Sequence, residues 1–103
     1  MPSAAIRPDL VRRLRSAEGH VRSIIGMIET GADCQDILRQ TLAVQGALRV
    51  VNNLLLKHHL NDCLRAELWD ADPQVREHAL NTVVELYDLI SASALSFGRK
   101  ERV

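Results

Sequence analysis

Residues 33–69, DCQDILRQTLAVQGALRVVNNLLLKHHLNDCLRAELW, contain no proline and one glycine, Gly46. The run predicts a single continuous helix of more than thirty residues. Propensity alone gives a helix little stability, so one this long in a small domain calls for a bundle or coiled-coil-like partner.

On the N-terminal side, Leu10, Leu14, Val21, Ile24, Ile25 and Ile28 recur at helical spacing. Asp9 is a plausible cap and Gly31 a plausible stop, so a first helix is expected over about 9–30. Gly19 and Gly26 inside it suggest close packing there. On the C-terminal side, Asp70–Pro73 reads as a turn with Asp72 as cap and Pro73 at the first helical position. A third helix follows, with Val75, Leu80, Val83, Val84, Leu86 and Ile90 apolar and with Trp69 and Tyr87 expected to pack around it. Strand-like alternation is not evident. The fold class is therefore all-α, a three-helix protomer with a very long second helix. The domain spans 9–92, between a flexible arm over 1–8 and a frayed, flexible tail over 93–103.

A chain of 103 residues, 47% hydrophobic, buries one modest core and is expected to gain stability from self-association. No run approaches a membrane span and the N-terminus lacks a secretory pattern, so no membrane partner and a cytoplasmic location are expected. Two cysteines in that compartment read as thiols or ligands rather than a disulfide. Net charge is zero, but eight Lys/Arg face five Asp/Glu through residue 60, and five face eight beyond it. The first helices can thus present a basic face.

Cys34 begins the long helix and His59 and Cys63 lie near its end. At about 1.5 Å per residue the 25 steps from Cys34 to His59 span about 37 Å, too far for a shared metal or an intact-helix disulfide to Cys63. At about 100° per residue, however, His59 and Cys63 both return to within about 20° of the direction of Cys34. The three share one stripe, from which His58 points away and on which Gln45 and Asn52 also fall. Two copies of the helix packed antiparallel would bring Cys34 of one chain to His59 and Cys63 of the other, twice per twofold dimer. Two thiolates and an imidazole are a soft, three-coordinate set that suits Cu(I); Zn(II) usually wants a fourth ligand. Singly, each residue reads as core or surface packing; together on one stripe they read as a site. Ala43, Gly46 and Ala47 lie on the opposite side, where another helix is expected.

The segments RLRSAEGHVRSIIGMIE, DCQDILRQTLAVQGAL and HHLNDC resemble the CsoR/RcnR family of small all-helical bacterial repressors over roughly 8–92. The spacing Cys-x24-His-x3-Cys is similar to that of its copper-sensing branch. The resemblance implies an antiparallel four-helix-bundle dimer, a homotetramer built as a dimer of dimers, Cu(I) bound at Cys34, His59 and Cys63, and release of operator DNA on metal binding. It also implies that basic residues on the first two helices bind DNA, here Arg12, Arg13, Arg15 and Arg49. No helix-turn-helix or zinc-finger spacing is visible.

Neighbouring branches differ at the same positions. MPSAAIRP lacks the N-terminal histidine of the nickel and cobalt sensors. Pro2 with Cys34 resembles the formaldehyde sensors, which lack a cysteine at 63, and Cys34 with Cys63 resembles the persulfide sensors, which lack the histidine. Asp33 stands where the copper sensors often carry tyrosine. Glu77, Glu85 and Tyr87 are the candidates to support the imidazole of His59 from the third helix. The main alternative is a metal-independent sensor of formaldehyde or persulfide built on Cys34 with Pro2 or Cys63; a helical adaptor is another. An enzyme using Cys63 as nucleophile and His59 as base lacks an orienting third residue, so no catalytic residues are expected. His20 reads as structural, and His58 and His78 as solvated.

Overall fold

The computed structural model of the chain describes residues 3–102, with the side chains of Cys63 and of residues 93–102 left aside. Four α-helices are described and no strand: α1 (Arg7–Glu29), α2 (Cys34–His58), α3 (Arg65–Leu68) and α4 (Pro73–Arg102). Helical backbone continues without a break from Cys34 to Leu68, as the uninterrupted run predicts, but His59–Leu64 between α2 and α3 is wound as a π-helix. The chain divides into two compact units, Met1–His58 and His59–Val103.

The first unit is a helical hairpin. Leu10, Ala17 and Ile24 are the buried residues of α1, and Val44, Val51 and His58 those of α2. Each set recurs every seventh residue, the repeat that keeps a narrow seam facing a partner helix. The helices are antiparallel, since Ser3 N–H donates to His58 Nε2 at 3.1 Å and His20 Nε2 meets Gln40 Oε1 at 2.6 Å. This register brings Leu10 level with Val51 and Ala17 level with Val44.

Local chemistry sets the ends of the hairpin. Pro8 sits in the first turn of α1, where a backbone N–H is not needed, and the helix begins at Arg7 with Ile6 at the cap position. Asp9 is therefore not the cap expected from sequence; it is the third residue of α1, within the first turn, and accepts from Arg12 and Arg13 instead. Gly31 ends α1 at φ 76°, and the Ala32 and Gly31 N–H groups donate to the Met27 and Ile28 carbonyls, a Schellman closure. At the start of α2 the Asp33 carboxylate accepts from the Gln35 N–H. Nothing lies within 4 Å of a Cβ built on Gly19, Gly26 or Gly46, so the close packing expected at the helical glycines is not made within the protomer among the described residues.

In the second unit α3 packs against α4, with Leu64 and Ala79 buried. Asp72 caps α4 through a 2.9 Å bond from the Gln74 N–H, and Pro73 takes the first helical position, as the DADP turn predicts. Arg76 Nη1 donates to the Asp70 carbonyl at 2.7 Å and closes the turn. Trp69 and Tyr87, expected to pack around this helix, are instead 84% and 69% exposed. The sequence pattern marks such residues as apolar but not which surface covers them.

Candidate metal centre and nucleic-acid face

Cys34 is the first residue of α2 and an exposed free thiol. Starting from it, steps of four and three residues pass through Leu38, Thr41, Gln45, Leu48, Asn52 and Leu55 to position 59. Leu38, Leu48 and Leu55 are exposed, so this stripe is distinct from the buried seam of Val44, Val51 and His58. Three exposed leucines interspersed with Thr41, Gln45 and Asn52, and a thiol at one end, make a mixed surface that another helix could cover.

His59 opens the π segment and is half-buried; Cys63 is its fifth residue. In an α-helix residues four apart are offset by about 40°. A π turn takes more residues, so the offset of backbone positions 59 and 63 differs from that of the α-helix the sequence predicts. π turns inside α-helices are frequent at functional sites.

α2 has 25 residues and is about 37 Å long, with Cys34 at its start and His58 at its end. Among the described residues, no three His, Cys, Asp or Glu side chains gather where they could hold a metal ion. The donor types themselves, two thiols and one imidazole, fit a soft monovalent ion. Glu77, Glu85 and Tyr87 lie exposed on α4, and the His59 imidazole makes no hydrogen bond to a side chain among the described residues. Pro2, the second group of the aldehyde-sensing alternative, lies outside the described residues.

Arg12, Arg13 and Arg15 occupy the second and third turns of α1, and the hairpin register sets Arg49 of α2 level with Arg12. All four named arginines thus belong to one level of the hairpin. Arg12 and Arg13 both engage Asp9, the latter at 3.0 Å. Hydrogen bonds from Arg13, then Arg12, hold the Asp9 carboxyl below its ordinary range. Arg15 and Arg49 are exposed and carry no ion pair among the described residues.

One residue escaped the sequence reading. His58, expected to be solvated, is the buried polar residue of the hairpin at 9% exposure, and accepts the Ser3 N–H. Its signal was the seven-residue spacing from Val44 and Val51, which puts it on the α1 side of the helix rather than on the stripe of Cys34. His20 is structural, as expected, bridging α1 and α2 through Gln40. His78 is exposed.

A family model described as metal-sensitive transcriptional repressor matches residues 6–92. The chain is 32% identical over 88 residues to the copper-sensing transcriptional repressor CsoR of Mycobacterium ulcerans, covering 85% of this chain and 75% of that protein. To CsoR of Bacillus subtilis it is 31% identical over 91 residues, covering 88% and 87%. The structure is similar to the crystal structure of the copper-sensing repressor CsoR with Cu(I) from Geobacillus thermodenitrificans, with a TM-score of 0.71 and 34% identity over 91% of this chain and 92% of that one.

Proposed function

The chain belongs to the metal-sensitive transcriptional repressor family, and from that premise we propose that it is a cytoplasmic repressor that binds operator DNA as a homotetramer and releases it on binding Cu(I). The reading assigns no enzymatic activity. The observation that carries it is the exposed thiol of Cys34 at the head of a face of α2 on which Leu38, Leu48 and Leu55 are also exposed. Two such faces packed antiparallel bring Cys34 of one protomer to the partner's His59 and Cys63. Burial of Leu38, Leu48 and Leu55 would supply the driving force for that pairing.

Bound Cu(I) would supply a soft centre that holds two thiolates and an imidazole in one geometry. The thiols give up protons on binding it, so uptake is linked to pH. Glu85 or Tyr87 of α4 would orient the imidazole. Arg15 and Arg49, with Arg12 and Arg13 shared with Asp9, contact DNA phosphates and make binding strongly salt-dependent. Release requires that the DNA-free arrangement bind Cu(I) more tightly than the DNA-bound one, because equal affinity shifts nothing.

The test is an anaerobic Cu(I) titration of the reduced protein, with a competing chelator, following anisotropy of labelled DNA from upstream of its own gene. Release at one Cu(I) per chain supports the reading. Tight DNA binding indifferent to Cu(I), with release by formaldehyde or a persulfide donor instead, would transfer the same thiols to electrophile sensing.

A further inference from the structure

We propose that the hydrogen bond from the Ser3 backbone N–H to His58 Nε2 is a latch that couples the metal end of α2 to the arginine end of α1. The proposal deepens the Cu(I)-repressor reading and rests on it.

His58 continues the buried seam of Val44 and Val51, and an imidazole taken out of water needs hydrogen-bond partners. Ser3 N–H meets its Nε2 at 3.1 Å across 55 residues of sequence. The Ser3 carbonyl in turn accepts the Ile6 and Arg7 N–H groups, and the Ile6 carbonyl accepts Leu10 N–H. The first turn of α1 is therefore built outward from the residue that His58 holds, and the next two turns carry Arg12, Arg13 and Arg15. On the other side, His58 is the last α-helical residue before the π segment and the covalent neighbour of His59.

A buried ring in a packed seam has discrete arrangements rather than a continuum. The latched arrangement is the DNA-competent one. Engagement of His59 by Cu(I) turns the backbone at 58–59, breaks the Ser3 bond and frees the start of α1. Ser3 and His58 are positioning residues: neither touches metal or DNA.

The experiment compares wild type, Ser3→Pro, His58→Leu and His58→Gln as full-length tetramers. Ser3→Pro removes the N–H and keeps the carbonyl; His58→Gln keeps an acceptor at the place of Nε2. DNA affinity is measured by anisotropy with and without one equivalent of Cu(I), and ultraviolet Cu(I)–thiolate absorption reports whether the metal site is intact. Expected is at least a tenfold smaller ratio of metal-free to Cu(I)-loaded DNA affinity in Ser3→Pro and His58→Leu, with the absorption unchanged and the ratio recovered in His58→Gln. An unchanged ratio in Ser3→Pro overturns the latch. So does a loss confined to His58→Leu, which would assign the effect to seam packing. A wild type that binds DNA but ignores Cu(I) would sink the Cu(I) reading itself, and the latch with it, and is recognised before any variant is made.

Discussion

His20 Nε2 and Gln40 Oε1 lie 2.6 Å apart and join the middle of α1 to the second turn of α2. With the Ser3–His58 bond they pin the antiparallel register at two points, and both partners are half-buried. Replacing either by alanine strands the other in a partly dry site. His20→Ala and Gln40→Ala should each cost about 1–2 kcal/mol. In urea unfolding this lowers the midpoint and leaves the slope unchanged. Two variants as stable as wild type would mean that the bond does not hold the hairpin.

The buried seam of the hairpin and the exposed stripe of α2 should respond differently. Leu10 is buried in the α1–α2 seam, so Leu10→Ala removes packed atoms and should cost about 2–5 kcal/mol of hairpin stability. Leu48 is 41% exposed on the stripe that begins at Cys34. Leu48→Glu should keep the helical circular dichroism while sedimentation velocity shows loss of the dimer. A Leu48→Glu protein that remains fully assembled would move the interface elsewhere.

Much of this was legible because it rests on local chemistry. Gly31 stops α1 through a left-handed φ that other residues adopt at a cost, and Asp72–Pro73 starts α4 through a cap and a residue without an N–H. The uninterrupted helical run from Cys34 was readable from its lack of breakers. The π winding of His59–Leu64 was not, since the shift to wider hydrogen-bonded turns leaves no compositional mark in HLNDCL. Asp9 was misread as a cap because Pro8 allows the helix to begin before it. Trp69 and Tyr87 are exposed rather than packed, because residue type marks a side chain as apolar but not which surface covers it. For the candidate site, the sequence carries the donor types and the spacing from which an angular alignment is expected. It could not carry the arrangement of Cys34 relative to His59, which under the proposed function is a property of two chains.

Gly31 and Gly19 give opposite signs for the same substitution. Gly31 has φ 76° with open space around a built Cβ, so Gly31→Ala meets backbone strain alone and should cost about 1–2 kcal/mol. Gly19 lies within α1 with nothing near its Cβ position, and Gly19→Ala should stabilise the helix by about 0.5–1 kcal/mol. Thermal melts compare the two. Destabilisation by Gly19→Ala would mean that a neighbouring chain approaches that backbone closely.

Asp9 restrains the basic level of the hairpin. Asp9→Asn removes the charge that engages Arg13 and Arg12 and should tighten DNA binding several-fold, with a steeper salt dependence. Arg15→Ala should weaken binding uniformly across sequences and reduce the log–log salt slope by about 1. The pH effect has a definite sign. The carboxyl is held below its ordinary value of 3.8 by the arginine hydrogen bonds, so its contribution to folding is present above that value. It is lost as pH falls through the lower folded value, and it is small because the pair is exposed. Asp9→Asn should therefore narrow the stability difference between neutral and strongly acidic solution. A salt slope unmoved by either substitution would place the DNA contacts elsewhere.

The origin of the ligands from two chains can be tested by complementation. Cys34→Ala and His59→Ala should each leave metal-free DNA binding near wild type and abolish release by Cu(I), because every site in either homodimer lacks a donor. In a dimer made of one chain of each kind, the first chain keeps His59 and Cys63 and the second keeps Cys34. If the site spans two chains, one of the two sites in that heterodimer is complete and the other lacks both Cys34 and His59. Random mixing makes about half of the dimers mixed, so unfolding and refolding the two variants together should restore about a quarter of the wild-type Cu(I) stoichiometry. The separately refolded variants should restore none. If each site were built within one chain, no mixture of the two would regain a full donor set, and a refolded mixture that stays silent would reject the antiparallel arrangement whatever the individual variants do.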